Sequence, residues 1–411
     1  MRYPMMVKSL LDTDLYKFNM GQCIHDQFPD AMTTWSFKCR NKDVYFTAEM
    51  VDEIRQQVKA FCELSFTDKE LDYLETRYPW LKGGYINFLR IWKPRYEDIE
   101  ITDKAECGLS IEAKGSWLNT TMYEVPILAI VNETYFRMQY DYDRLLASFK
   151  EKLAVKKNAL EEGRFKIGPF SEFGTRRRLS YEAQLLAIRE LYDINGTGCG
   201  SSFVGTSNVY IAMLNEKELG IKDRAKGTIA HEFIMCVGQG YPMHNPAYSN
   251  HFAMKAWTGE YETQNGIALT DTVTTDVFLR DFGLTFATLF SGVRHDSGDP
   301  YEWGHKMLEH YKKLGIDPHT KTLLFSDSLN FEKASALYDH FKDQTNVAFG
   351  IGTYIANDTY VPALNIVMKV TRCNGTDVAK ISDTPGKGMC KNQEYVDYLT
   401  RALDWRLCHG K

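Results

Sequence analysis

From about residue 168 the chain settles into one rhythm: a short apolar or β-branched run, a polar end containing glycine or aspartate, then a helical pattern. The polar ends are SEFGTRRR (171–178), SFVGTSN (202–208), KGTIAHEF (226–233), IALTD (267–271), GVRHDSGD (292–299), TLLFSDS (322–328) and VAFGIGT (347–353). Successive ends lie roughly 25–40 residues apart, the length of one strand–helix unit. Seven such units in series predict an α/β fold built on a parallel β/α barrel, with an open doubly wound sheet as the alternative. In barrels of this kind the site sits at the C-terminal ends of the strands, where these polar groups fall.

The rest of the chain has a different grain. TTWSFKCR (33–40) alternates and is rich in β formers, so it predicts a strand. Residues 48–64 and 65–81 carry apolar positions at helical spacing, and 134–163 predicts one long helix. LNIVMKVTRCNGTDVAKIS (364–382) is two alternating runs around Asn-Gly, a β-hairpin signal. We expect that hairpin to return to the first region. The expected organisation is then an N-terminal α+β domain (1–140), the barrel with the site (141–360) and a C-terminal segment (361–411) that makes the first domain discontinuous.

Composition narrows the partners. The 411 residues suggest two or three domains, with 25% charged and 44% hydrophobic positions. A net charge of −5 gives no general attraction to nucleic acid or an anionic membrane, so phosphate binding must come from local basic clusters. Asp12, Asp14 and Lys17 break any secretory apolar region, and no apolar run approaches the roughly 18 residues that span a bilayer. The expectation is a cytoplasmic protein. Nine cysteines from Cys23 to Cys408, without C-x-x-C, read as reduced thiols.

Several segments carry chemistry. In GVRHDSGDPYEW, Asp299, Pro300 and Glu302 fit an N-cap, a first helical position and a capping-box acid. Arg294, His295 and Asp296 precede that cap and gain nothing from it; a carboxylate beside an arginine suits a metal-bound polyphosphate. Asp271 enters the same mouth or caps the helix that follows it. Arg176, Arg177 and Arg178 form either a solvated turn or a clamp for phosphate or carboxylate, with at most two facing one way. His231 is a structural histidine or, in a barrel mouth, a base or nucleophile; His295 has weaker support. Gly350 and Gly352, followed by Thr353, present backbone amides to a phosphate or serve a tight turn. There is no H-E-x-x-H and no G-x-x-x-x-G-K-[ST]. Lys226 and Lys369 are the nearest Schiff-base lysines, without supporting context. These parts imply an enzyme for an anionic, phosphate-bearing substrate.

LLDTDLYKFNM, SEFGTRRR, FVGTSN, GTIAHE, ALTD, RHDSGDPYEWG, FSDSL, FGIGT and ALNIVMKV follow one another from about residue 8 to residue 390. Each is modest alone; as an ordered set they closely resemble the bacterial nicotinate phosphoribosyltransferase family. The resemblance implies a type II phosphoribosyltransferase fold (an irregular TIM-like barrel), nicotinate and phosphoribosyl pyrophosphate as substrates, ATP as co-substrate and Mg²⁺. It implies that ATP phosphorylates His231, that Phe173 stacks on nicotinate, and that Tyr16 from the partner subunit of a homodimer covers the other face. Arg176 and Arg294 match arginines near nicotinate and the phosphoribosyl group. Asp271 and Asp296 resemble the acids that hold ribose hydroxyls and Mg²⁺-pyrophosphate, and Gly352 and Thr353 resemble part of a 5′-phosphate cradle with Gly350 alongside. Ser207, after Thr206, stands where related nicotinamide enzymes carry an aspartate, which favours an anionic pyridine acid. Nicotinamide or quinolinate as substrate is the alternative. INGTGCGSS (194–202) departs from the pattern by its length and glycines, close to the expected mouth.

Overall fold

The computed structural model describes residues 1–384, 388 and 390–409; the end of the expected C-terminal segment, 410–411, lies outside them. The first region opens with the helix Leu15–Gln27 and strand β1 (Met32–Cys39). The helices Ala48–Cys62 and Asp68–Arg77 follow, the second fixed by a capping box between Thr67 and Glu70. Strands β2 (Ile99–Thr102) and β3 (Ser110–Ser116) come next. The long helix read over 134–163 is two helices, Glu124–Gln139 and Tyr142–Glu161. Tyr140 is extended and the Asp141 side chain accepts from Arg144 N at 3.1 Å, so an N-cap breaks the periodic run.

Six parallel strands follow: β4 (Gly168–Glu172), β5 (Ser201–Thr206), β6 (Ile267–Leu269), β7 (Gly292–His295), β8 (Thr322–Phe325) and β9 (Asn346–Ile351). Their order is β5-β4-β9-β8-β7-β6, so the first strand lies beside the last and the open edges are β5 and β6, neighbours in sequence. That cyclic order suits the expected irregular barrel, but among the described residues the sheet stays open between β5 and β6. The seventh segment, KGTIAHEF, sits in the gap without becoming a strand. Lys226 N donates to Thr206 O of β5 at 2.9 Å, and the Thr228 hydroxyl donates to Ile267 O of β6 at 3.1 Å. Asn19 Nδ2 takes the Gly227 carbonyl at 3.0 Å, and a helix begins at His231. Too few backbone groups are left there for a ladder.

Two further strands, β10 (Ile366–Cys373) and β11 (Thr376–Asp377), form the hairpin. Asn374 (φ 49°) and Gly375 (φ 79°) both take the left-handed conformation that a two-residue turn requires. β10 pairs antiparallel with β1 from Thr33–Cys373 to Cys39–Ile366, giving a second sheet of order β11-β10-β1-β3-β2. One large core runs through both sheets, and a smaller one seats the C-terminal helix Gln393–His409 on Ala247, Val273 and Val277. All nine cysteines are free, and no helix among the described residues is long and apolar enough to cross a membrane.

Candidate active site

A cavity of about 510 Å³ opens between the C-terminal ends of the parallel strands and the face of β1 and β10. Tyr16, Phe173, Arg176, Ser207, His231, Arg294, Asp296, Gly352 and Thr353 all line it. Thr206, Asp271 and Gly350 stand behind its wall. The Thr206 hydroxyl donates to Glu172 at 2.6 Å. A Cβ on Gly350 would lie 2.2 Å from the Phe173 ring, so that glycine seats the ring and does not face a ligand.

His231 begins the helix His231–Gln239. Its Nε2 lies 3.0 Å from Asp271 Oδ1, 2.8 Å from Lys380 Nζ and 3.6 Å from Asp296 Oδ2. Burial and then the Lys380 ammonium push His231 down to about 4, against the pull of both aspartates. The ring is therefore neutral at pH 7 and keeps an unprotonated nitrogen; Nε2 accepts from Lys380 or donates to Asp271, not both. Burial acts to raise the acid of Asp271, but His231 and Lys380 outweigh it and hold the carboxyl well below its usual range. Asp296 is likewise held low, chiefly by Arg294, whose Nη2 donates to it at 2.9 Å.

His231, Asp271 and Asp296 offer ligand atoms within 4.8 Å of one another, a spacing that suits a metal. The occupants of that space argue otherwise. Lys380 Nζ already lies 2.8 Å from Asp271 Oδ2, which also accepts from Ser297, while Oδ1 faces His231. A hard cation wants several oxygen ligands and no ammonium among them. The set does not fit a resident Mg²⁺, because Asp271, expected among its ligands, is already taken up by Lys380, Ser297 and His231.

The arginine triplet separates on the turn Thr175–Arg177. Arg176 and Arg177 line the cavity, whereas Arg178 is fully buried in a bidentate pair with Asp12 at 2.6 and 2.8 Å. Burial, Arg176 and Arg40 push Arg177 down to about 9. Tyr16 reaches the cavity of its own chain, its hydroxyl donating to Glu124 at 3.3 Å. Ser207 donates to Asp14 Oδ1 at 2.8 Å, so a carboxyl from another part of the chain meets the hydroxyl where the sequence reading had none.

Other residues fall away from the site. His295 is buried, accepted by Gly298 O at 3.2 Å and packed on Trp303 and Phe325. Asp299 is the N-cap, accepting from Tyr301 N and Glu302 N at 2.9 Å. The 194–202 loop leads into the N-terminal end of β5, opposite the cavity, and lines none of it. Sequence reasoning missed Lys380, Arg40, Asp14 and Glu124 and gave Lys369 no context. Asp14 and Lys369 lie inside quoted motifs, LLDTDLYKFNM and ALNIVMKV, whereas Lys380 follows the hairpin turn with no motif to mark it. Lys369 lines the cavity, pushed down to about 7 by burial, then Lys380 and Arg40.

The sequence profile of the nicotinate phosphoribosyltransferase (NAPRTase) family matches residues 169–406, and that of the NAPRTase N-terminal domain matches residues 11–132. Nicotinate phosphoribosyltransferase of Burkholderia mallei is 42% identical over 405 residues, covering 97% of each chain. That of Ralstonia nicotianae is 41% identical over 406 residues, 97% of this chain and 99% of its own. A solved nicotinate phosphoribosyltransferase from Vibrio cholerae superposes with a TM-score of 0.88 at 34% identity, over 98% of this chain and 94% of that one. A putative one from Saccharomyces cerevisiae gives 0.87 at 33%, over 98% and 99%.

Proposed function

The chain belongs to the nicotinate phosphoribosyltransferase family, and from that premise we propose that it forms nicotinate mononucleotide and diphosphate from nicotinate and phosphoribosyl pyrophosphate, coupled to ATP through phosphorylated His231. One observation carries this reading: a single cavity holds aromatic Phe173 and Tyr16, the anion-seeking Arg176, Arg177 and Arg294, and a histidine that burial and Lys380 keep neutral.

The pyridine nitrogen attacks ribose C1 as the bond from C1 to the diphosphate oxygen breaks. Phe173 and Tyr16 hold the ring, a contact worth about 0.5–1.5 kcal/mol beyond area burial. Arg176 meets the nicotinate carboxylate. Arg294 and Lys380 face the departing diphosphate; Mg²⁺ carried in with phosphoribosyl pyrophosphate would add charge stabilisation of that leaving group. Asp296 reaches the cavity and takes the ribose hydroxyls; Asp271, walled off, positions His231 and Lys380 instead. Gly352 and Thr353 present backbone amides to the 5′-phosphate. Positioning and fixed charge dominate, since no nucleophile of the protein attacks the sugar. In the coupled step a neutral nitrogen of His231 takes the γ-phosphoryl group as the P–O bond to ADP breaks, and water later cleaves the N–P bond. A homodimer with shared active sites is part of the proposal.

The test follows nicotinate mononucleotide with and without ATP, in wild type and His231→Asn. ATP stimulation present in wild type and lost in the variant is expected; equal stimulation in both overturns the histidine assignment. Nicotinamide as the base is the second reading, favoured by one observation, the Asp14 carboxyl beside Ser207, which would accept an amide N–H. Competition between the two bases decides it.

A further inference from the structure

Arg176 is the guanidinium best placed for an anionic ring substituent, its side chain 36% exposed into the cavity. A carboxylate of the chain competes for it: Glu124, the first residue of its helix, has Oε1 3.5 Å from Arg176 Nη1. Glu124 lines the same cavity and is almost fully buried. Left to itself, an ionised Glu124 would draw Arg176 onto its own oxygens and add negative charge where a negative ligand must bind.

A second cation stands behind it. Lys17 has no exposed surface and does not line the cavity. Its Nζ lies 2.7 Å from Glu124 Oε2 and also pairs with Glu232, the residue after His231. It sits 4.9 Å from the Trp35 ring centroid and 5.1 Å from that of Tyr16, so its position is fixed on several sides. Four charges thus alternate in one row, Arg176, Glu124, Lys17 and Glu232. Among the charges acting on Glu124, Lys17 is the strongest opponent of its burial and Arg176 the next.

We propose that Lys17 is a positioning residue that neutralises Glu124 from behind the cavity wall and so leaves Arg176 to meet the carboxylate of the substrate. The inference deepens the nicotinate reading and rests on it. Without Lys17 the nearest cation left to Glu124 is Arg176, which is drawn away from the ligand. A purely structural lysine would behave differently, since its loss would lower stability and impair both substrates together, not KM for nicotinate selectively.

The experiment compares steady-state kinetics of wild type, Lys17→Met, Glu124→Gln and the double variant. Lys17→Met is expected to raise KM for nicotinate about tenfold or more, with kcat and KM for phosphoribosyl pyrophosphate changed less than about threefold. Glu124→Gln alone lowers KM for nicotinate, and the double variant returns toward wild type. Should Lys17→Met not fold, Glu124→Gln and Lys17→Arg still decide: a lower KM in the first and a near-normal KM in the second support the proposal. A KM unchanged in Lys17→Met, a double variant as impaired as Lys17→Met, or a raised KM in Glu124→Gln overturns it. No nicotinate mononucleotide from wild type would instead overturn the functional reading beneath it.

Discussion

Arg176 and Arg178 stand two residues apart on one turn, and their surroundings differ in kind. Arg178 has no exposed surface; it clamps Asp12 with two nitrogens, and donates to Gln184 at 3.1 Å and to the Met6 carbonyl at 3.0 Å. Asn208 adds a bond to the same aspartate at 2.8 Å. Arg176 keeps a third of its side chain open to the cavity and has one long contact, to Glu124 at 3.5 Å. The two clusters carry similar charges. What separates a structural ion pair from a binding group is how far its terminal nitrogens are engaged: both of Arg178's have acceptors inside the protein, with only its buried Nε lacking one, and Arg176 is short of an acceptor that a ligand supplies.

The largest effect should come from the saturated pair. Arg178→Met strands Asp12 as a buried charge, a change that typically costs about 3–5 kcal/mol. Denaturant melts should show that loss. Arg176→Met should leave the melt within about 1 kcal/mol and raise KM for nicotinate instead. A destabilised Arg176→Met beside a stable Arg178→Met would reverse the comparison.

The cluster of His231, Lys380 and Asp271 lies between these extremes, buried yet bordering the cavity, and it responds to pH. His231 stands at about 4 in the folded protein, below the ordinary 6.5, and next to burial the Lys380 charge is the main cause. Its neutral form is therefore nearly complete above pH 5, and ATP-dependent phosphorylation should be insensitive to this group from pH 6 to 8. Lys380→Met removes a cation that lowers the pKa and leaves Asp271 and Asp296, which raise it. Phosphorylation in that variant should then fall as pH drops from 8 to 6. A flat profile in Lys380→Met would mean that burial alone holds the ring neutral.

The same contrast explains what the sequence disclosed. Strand ends are local signals, and six of the seven polar ends do terminate parallel strands, from SEFGTRRR on β4 to VAFGIGT on β9. KGTIAHEF misled because the bonds that decide its fate come from Asn19, Thr206 and Ile267, far away in sequence. The break at Asp141 was a local cap hidden inside a strong periodic run. The arginine triplet showed that not all three could face one way, but which one Asp12 captures is a tertiary fact. Lys369 and Lys380 reach the cavity through the pairing of β10 with β1; the alternation marks the hairpin but not which of its side chains face a ligand.

Gly350 tests whether the aromatic wall depends on its support. An added Cβ would stand 2.2 and 2.3 Å from two Phe173 ring carbons, and Phe173 N is pinned to Ile351 O at 2.8 Å, so the ring must turn while its backbone stays. Overpacking of this kind costs about 1–3 kcal/mol. Gly350→Ala should raise KM for nicotinate with a smaller change in KM for phosphoribosyl pyrophosphate. Equal changes in both would mean that the strand end as a whole had moved.

The smallest effect is expected at Ser207, and it applies the saturation argument to a neutral group. Its hydroxyl donates to Asp14 at 2.8 Å, and its backbone N donates to Glu172 O at 2.9 Å, so both donors are satisfied within the chain. Ser207→Ala removes one hydrogen bond and should cost about 0.5–1.5 kcal/mol of stability, with KM for nicotinate shifted less than about threefold. Asp14 keeps Thr175 as a second donor, and burial already raises its pKa, so the loss makes it easier to protonate without leaving it bare. Ser207→Asp would instead set two carboxyls in contact, and should weaken nicotinate far more than the alanine does. If the alanine proves the more harmful of the two, the hydroxyl serves the ligand directly and Ser207 belongs with Arg176 on the unsaturated side of the comparison.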